Sequence, residues 1–213
     1  GTWSGTGVTD NGNGTASFDP TGLSGSITVT YSYTDGNSCS NSDTADIMVN
    51  TAPTVEAGDY GPLCDNVSPI TLTGTPTNSN GTWSGTGVTD NGNGTASFNP
   101  AGLSGSITVT YSYTDGNSCS NSDTANILVN TAPTVDAGNY GPLCDNVSPI
   151  TLTGTPTNSN GTWSGTGVTD NGNGTASFNP AGLSGSITVS YSYTDGNSCS
   201  NSDTANILVN TAP

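Results

Sequence analysis

The chain has 213 residues, of which 16 are acidic, and it contains no lysine, arginine or histidine, so its formal net charge at pH 7 is -16. Without basic side chains it cannot neutralise phosphates, which excludes nucleic acid as a partner and excludes binding to anionic lipid. No apolar run approaches the roughly 20 residues that a membrane-spanning helix requires. We therefore expect an extracellular protein without membrane insertion.

The sequence repeats with a period of 80 residues, which places Gly1, Gly81 and Gly161 at the same position of successive copies. Internal repeats of this length indicate an array of similar folding units. The predicted units are a partial repeat at 1–53 (repeat one) and two complete repeats at 54–133 (repeat two) and 134–213 (repeat three).

The first half of repeat two predicts short strands separated by turns. Residues 54–57 start a first strand, and the turn-rich residues 58–62 lead to Cys64. Ile70–Thr73 alternates apolar and polar side chains, and Trp83 begins a third strand after a polar loop. Repeat one lacks the equivalent of residues 54–80, so its sandwich is expected not to close within residues 1–53.

The second half of repeat two carries the strongest pattern. After a tight turn at 90–94 and a short strand around Phe98, residues 105–131 predict a β-hairpin. Its first strand points one row of side chains inward, and its loop at 115–117 has turn chemistry. The inward residues predicted for the two strands are Ile107, Val109, Tyr111 and Tyr113, then Ala125, Ile127 and Val129.

The predicted fold class is all-β, a tandem array of immunoglobulin-like β-sandwich repeats. Turn signals every 8 to 12 residues are typical of a sandwich, and the long-chain helix formers are nearly absent. The abundance of Gly, Thr, Ser and Asn would also suit a disordered chain, but the strict alternation argues against disorder.

Several phrases of repeat two resemble the immunoglobulin-like and PKD-like repeats of giant secreted surface proteins of gliding bacteria. The resemblance implies an outer-surface adhesin, stalk or fibre, in which such repeats mostly serve as spacers. The phrases are Leu72–Pro76, Gly81–Gly85, Phe98–Pro100 and Thr110–Gly116.

The five cysteines occur as two per complete repeat and one in repeat one. This count predicts bridges Cys64–Cys119 and Cys144–Cys199, with the partner of Cys39 outside residues 1–213. A second arrangement stays open. In strict sandwich topology Cys64 lies at the opposite end of its repeat from Cys119, next to Cys199 of the following repeat.

Catalysis is not expected, because the chain has no His or Lys to serve as a base and its Asp residues occupy turns or strand starts. No cofactor is expected either. Acidic extracellular repeats often bind calcium, but Asp90–Gly94 lacks the ligand spacing of an EF-hand loop, so turn chemistry is the favoured interpretation.

Three threonines are candidate O-glycosylation sites. Thr44, Thr124 and Thr204 each follow an Asp and precede an Ala, which resembles the motif that gliding bacteria glycosylate in secreted proteins. An ordinary strand start has the same sequence. Three N-glycan sequons in repeat two, at Asn66, Asn80 and Asn93, are interpreted as turns.

The function predicted from the sequence is a non-enzymatic, extracellular spacer or polymeric fibre. Its expected partners are neighbouring repeats and lateral copies of the same chain. The alternative is an adhesin whose repeats bind glycan. The outward row Thr108, Thr110, Ser112 and Thr114 would also suit an ice-binding or glycan-binding face, although solvated sandwich strands look the same. We further expect these residues to be a window of a longer chain, with an axial repeat on the order of 40 Å.

Overall fold

The computed structural model describes residues 1–213, which form nineteen β-strands and no helix, so no helical segment could cross a membrane. Repeat one contains β1 (Thr2–Ser4), β2 (Val8–Asp10), β3 (Ala16–Phe18), β4 (Gly25–Thr34) and β5 (Ser40–Val49). Repeat two contains β6 (Leu63–Cys64), β7 (Ile70–Thr73), β8 (Gly81–Gly85), β9 (Val88–Asp90), β10 (Thr95–Phe98), β11 (Gly105–Thr114) and β12 (Ser120–Asn130). Repeat three contains β13 (Leu143–Cys144), β14 (Ile150–Thr153), β15 (Gly161–Gly165), β16 (Val168–Asp170), β17 (Thr175–Phe178), β18 (Gly185–Thr194) and β19 (Ser200–Asn210).

Each complete repeat consists of two packed sheets. In repeat two the order is β6-β12-β11-β8 in one sheet and β7-β10-β9 in the other, and repeat three reproduces both orders. The hairpin β11–β12 is the longest ladder, with Ile107 opposite Ile127. The structure thus confirms the predicted hairpin and the immunoglobulin-like sandwich.

The core lies between the two sheets, on the row of side chains that alternation predicted. In repeat two Val109, Tyr111 and Ile127 are fully buried. Leu72 on β7 and Phe98 on β10 reach the same core from the facing sheet. These side chains from both sheets therefore meet in one contiguous cluster, which sustains a unit of this size.

The segment before β6 differs from the prediction. Residues 54–57 do not form a strand, and only a single bridge joins Glu56 to Thr75. Val55 and Ala57 are nevertheless buried in the core. The segment therefore contributes two side chains to the core, although its backbone forms only the one bridge to Thr75.

Repeat one is an open sandwich. Its sheets are β1-β4-β5 and the two-stranded β2-β3, and no equivalent of β6 or β7 is present. Between them lies an apolar cavity of about 320 Å³ lined by Trp3, Val8, Ala16, Phe18, Val29, Ala45 and Ile47. Within residues 1–53 the two sheets leave this space open.

Candidate functional site at the joint between repeats

A disulfide bond crosses the joint between repeats two and three. It connects Cys64 to Cys199 over a sequence separation of 135 residues, with a Cα–Cα distance of 5.6 Å. The predicted pairs Cys64–Cys119 and Cys144–Cys199 are therefore wrong. The arrangement that strict sandwich topology favoured is the one observed.

The direction of the strands explains the correction. β6 pairs in parallel with the last residues of β12, so Cys64 lies beside Asn130 at the C-terminal end of repeat two. Cys119 directly precedes β12, whose 11 residues separate the two ends by roughly 30 Å. A disulfide needs its Cα atoms within about 7 Å, so no bridge within one repeat can form.

The hairpin loop presents its cysteine in a fixed geometry. In repeat three the carboxylate of Asp195 accepts hydrogen bonds from the backbone N–H of Asn197 and of Cys199, each at 2.9 Å. Ser198 has a positive φ of 65°, which turns the chain just before the cysteine. This Asx-type turn holds Cys199 at the tip that faces the preceding repeat.

Polar contacts reinforce the joint. The Asn66 side-chain amide donates to the carbonyl oxygen of Ser200 at 2.9 Å, and Asn201 donates to the carbonyl of Pro133 in the linker at 3.0 Å. On the other side, the Asp65 carboxylate accepts from the backbone N–H of Ala132 at 2.8 Å. Linker and hairpin loop are thus tied to both repeats.

The sequence pattern did not single out these anchoring residues. Asn66 lies in a sequence typical of a turn, and Asp65 and Asn201 belong to no motif. The available signal was their position, since all three lie within two residues of a cysteine. A cysteine pair that crosses a joint predicts polar contacts around it.

The remaining cysteines occupy equivalent positions without a bond. Cys39 and Cys144 are exposed, and Cys119 is half-buried. The Sγ atom of Cys119 lies 3.9 Å from the carbonyl oxygen of Asn50, at the end of repeat one. Asn121 donates to the carbonyl of Pro53 at 3.0 Å, as Asn201 does at the next joint.

The three candidate glycosylation threonines are exposed. The aspartate that precedes Thr124 has a structural role, because Asp123 accepts a hydrogen bond at 2.9 Å from the backbone N–H of Ala57. That hydrogen bond, followed by the one from the N–H of Thr124, holds the pKa of Asp123 below its usual value. Asp203 is held in the same way by Ala137 and Thr204. Glycosylation stays a prediction.

The acidic and amide side chains at residues 90–94 serve a local turn. Asp90 accepts from the N–H of Gly92 at 3.3 Å, and Asn93 accepts from the N–H of Thr95 at 3.0 Å. No group of three or more Cys, Asp or Glu side chains is arranged to hold a metal ion. The predicted turn chemistry at residues 90–94 is confirmed.

No protein-family model and no curated protein matches the chain. Among solved structures, Drosophila OTK extracellular domains 3–5 share 12% identity over 86% of this chain and 70% of that chain, with a TM-score of 0.35. Mouse cadherin-23 EC22–24 shares 14% identity over 99% and 86%, with a TM-score of 0.35. The titin domains Z1Z2 in complex with telethonin share 18% identity over 78% and 100%, with a TM-score of 0.31. At these values the likeness carries no argument about function.

Proposed function

We propose that the chain is a structural spacer, a tandem array of β-sandwiches whose joints are locked by disulfides so that the array transmits tension with little extension. The observation that carries the proposal is the Cys64–Cys199 bond across the joint. A bond between repeats is not needed to fold a single sandwich, but it restrains the angle and the distance between two neighbouring sandwiches.

The mechanical consequence follows from where the two sulfurs lie. Tension that enters repeat two near its start passes through the disulfide from Cys64 to Cys199, which lies at the joint, in the hairpin loop that precedes β19. Most of both repeats lies between these residues and is shielded from the pulling force. The ladder β11–β12 lies wholly between the two cysteines and is shielded, whereas β19 follows Cys199 and carries the tension through the ladder β18–β19.

The extracellular, surface-exposed setting is part of the proposal. Disulfides persist in oxidising environments, and the high net negative charge favours a soluble chain. A bacterial surface stalk or fibre is the specific form that the sequence resemblance supports. Lateral association of such arrays and attached sugars at Thr44, Thr124 and Thr204 belong to the same proposal.

Single-molecule stretching tests it. The chain is pulled from its two ends with and without reductant, and the unfolded length is compared. Opening the Cys64–Cys199 bond releases a stretch of 135 residues, which adds roughly 450 Å to the fully extended length. A double variant Cys64→Ser/Cys199→Ser should show the longer length without reductant.

The matched control is Cys144→Ser, because Cys144 has the same sequence neighbours as Cys64 but makes no bond. It should stretch like the parent chain. Equal extension of the parent with and without reductant would contradict the spacer mechanism.

A further inference from the structure

The smaller sheet of repeat two ends in a strand with no neighbouring strand on its outer side. β7 pairs only with β10, and the backbone N–H of Gly74 extends this pairing by donating to the carbonyl of Gly94 at 3.1 Å. Successive residues of a strand direct their backbone N–H and C=O groups to opposite sides, so those of Thr71, Thr73 and Thr75 face away from β10. These three backbone positions are called the outer edge of β7.

Two of the three positions are already paired with the segment that precedes β6. The backbone of Glu56 exchanges two hydrogen bonds with Thr75, each at 3.0 Å. At Thr73 the partner is a side chain. The N–H of Thr73 donates to the hydroxyl oxygen of Tyr60 at 2.8 Å, and this hydroxyl donates to the carbonyl of Thr73 at 3.3 Å. One phenol therefore satisfies both backbone groups that a neighbouring strand would pair with.

Packing and a turn hold this phenol at the edge. The ring of Tyr60 lies edge-on to that of Trp83, with 6.4 Å between the ring centroids. Gly58 has a positive φ of 80° and turns the chain between Glu56 and Tyr60. A Cβ atom at Gly58 would lie 3.2 Å from the hydroxyl oxygen, so the missing side chain leaves room for the hydroxyl to approach the strand.

Repeat three has the same arrangement. The N–H of Thr153 donates to the hydroxyl of Tyr140 at 2.7 Å, and this hydroxyl donates to the carbonyl of Thr153 at 3.2 Å. Asp136 takes the place of Glu56 and forms the bridge to Thr155. The contacts survive this exchange of side chains because they use backbone groups and a hydroxyl.

The sequence of the repeats makes this edge a hazard. Exposed strand edges pair with other chains, and natural proteins protect them with lysines, prolines, bulges or covering segments. This chain contains no lysine. β7 and β14 share the sequence ITLT, and nearly identical repeats are prone to misassembly. A second copy of the chain therefore carries strands that match the outer edge of β7.

We propose that Tyr60 and Tyr140 are edge-blocking residues, whose hydroxyls stop a strand of a second copy of the chain from adding to the smaller sheet. With the hydroxyl of Tyr60 in place, only Thr71 has unpaired backbone groups on the outer edge of β7. Without it the open edge spans residues 71–73, which is the length of a short strand. The proposal does not depend on the disulfide at the joint.

The test is Tyr60→Phe in the 213-residue chain, which removes the hydroxyl and keeps the ring. In dilute solution the amide hydrogen of Thr73 should exchange about five- to tenfold faster, because it loses its hydrogen bond. The amide of Thr153 in the same molecule is the internal reference and should not change. Mass spectrometry separates fragments of the two repeats that span this region, since they differ at Phe or Tyr and at Glu56 or Asp136.

The decisive measurement is the dependence on protein concentration. As Tyr60→Phe is concentrated, sedimentation velocity should show more association than the parent chain shows. The amides of Thr71 and Thr73 should then regain protection, which places the new contact on β7 whatever association the parent has elsewhere. The double variant Tyr60→Phe/Tyr140→Phe should associate more strongly and gain the same protection at Thr151.

Tyr113→Phe is the matched control. It also removes a hydroxyl, which accepts from the side-chain amide of Asn78 at 3.2 Å, but β11 lies between β12 and β8 and has no free edge. This variant should associate like the parent chain.

Three results would overturn the proposal. The first is unchanged exchange at Thr73 in Tyr60→Phe, and the second is faster exchange without added association, which would leave the hydroxyl a purely stabilising role. The third is equal association of the Tyr60→Phe and Tyr113→Phe variants. Exchange of the β11 amides is followed in the same samples, and a parallel acceleration there would attribute the effect to general loss of stability and would also contradict edge blocking.

Discussion

Repeat one and the corresponding part of repeat two differ at only four positions, 19, 21, 46 and 48, yet their side chains lie in different environments. Tyr111 is fully buried, whereas Tyr31 is only half-buried. Ala125 is buried and Ala45 is exposed. Nearly identical strands therefore present a closed core in one case and an open apolar cavity in the other, and the difference comes from residues 54–80.

The hydrogen bonds show the same contrast. The hydroxyl of Tyr111 donates to the carbonyl of Pro76, which lies in the segment that repeat one lacks, and the hydroxyl of Tyr31 has no partner. The indole N–H of Trp3 and of Trp83 each donate to a glycine carbonyl at 3.0 Å, because that contact lies within the shared part. Repeat one thus reproduces the contacts within the part that both repeats share, but not the contacts that repeat two makes with its residues 54–80.

The largest expected effect on stability comes from removing a buried side chain from the core of repeat two. Leu72→Ala should destabilise this repeat by about 2–5 kcal/mol, because it removes a fully buried side chain from between the sheets. Hydrogen exchange of the β10 and β11 amides, compared with β17 and β18 as an internal reference, measures the loss. Val67→Ala changes an exposed residue of the same segment and should have little effect.

Gly81→Ala should be the next most damaging change. A Cβ atom at this position would lie 1.7 Å from the hydroxyl oxygen of Tyr111, so the ring must move out of its buried site. We expect a loss of about 1–3 kcal/mol in chemical denaturation of the repeat. Gly61→Ala is the control, since nothing lies within 4 Å of its added Cβ. Equal stability of the Gly81 and Gly61 variants would contradict the close packing of Tyr111.

A smaller effect is expected from Tyr111→Phe, which removes one hydrogen bond and leaves the carbonyl of Pro76 without its partner. The expected loss is about 1 kcal/mol. The matched variant Tyr31→Phe should be neutral. Denaturation followed by the emission of the neighbouring tryptophans measures both, and a comparable loss in the two variants would show that the segment 54–80 does not determine the contrast.

The smallest expected effect is the response to acid. The N–H of Ala57 lowers the pKa of folded Asp123 below its unfolded value of about 3.9, so this carboxylate stabilises the fold above that pH. The contribution is lost as the pH falls below about 4 and passes through the lowered pKa. Exchange of the Ala57 amide should accelerate in this range, and Asp123→Asn should remove the acid response. Asp43→Asn, which lacks the Ala57-type contact, is the control, and an unchanged response in Asp123→Asn would contradict the linkage.

Most of the fold could be predicted from local patterns. The alternation in residues 105–114 identified the inward row, and the turn residues at 90–94 and 115–117 marked the strand ends. The first segment was less predictable, because Val55 and Ala57 contribute to the core without a continuous ladder. A burial pattern in irregular backbone has no fixed period.

The sequence by itself determined the all-β class, the 80-residue repeat, the hairpin and the absence of basic residues, since these depend on composition and on side-chain alternation along one strand. It counted two cysteines per repeat but could not choose between partners within a repeat and across a joint. Only the tertiary structure decided this, because the parallel pairing of β6 with the end of β12 puts Cys64 at the joint and Cys119 at the far end of the same strand. Cys199 is the partner because it lies close to Cys64 in the folded structure, and the spacing of cysteines along the sequence does not give that distance.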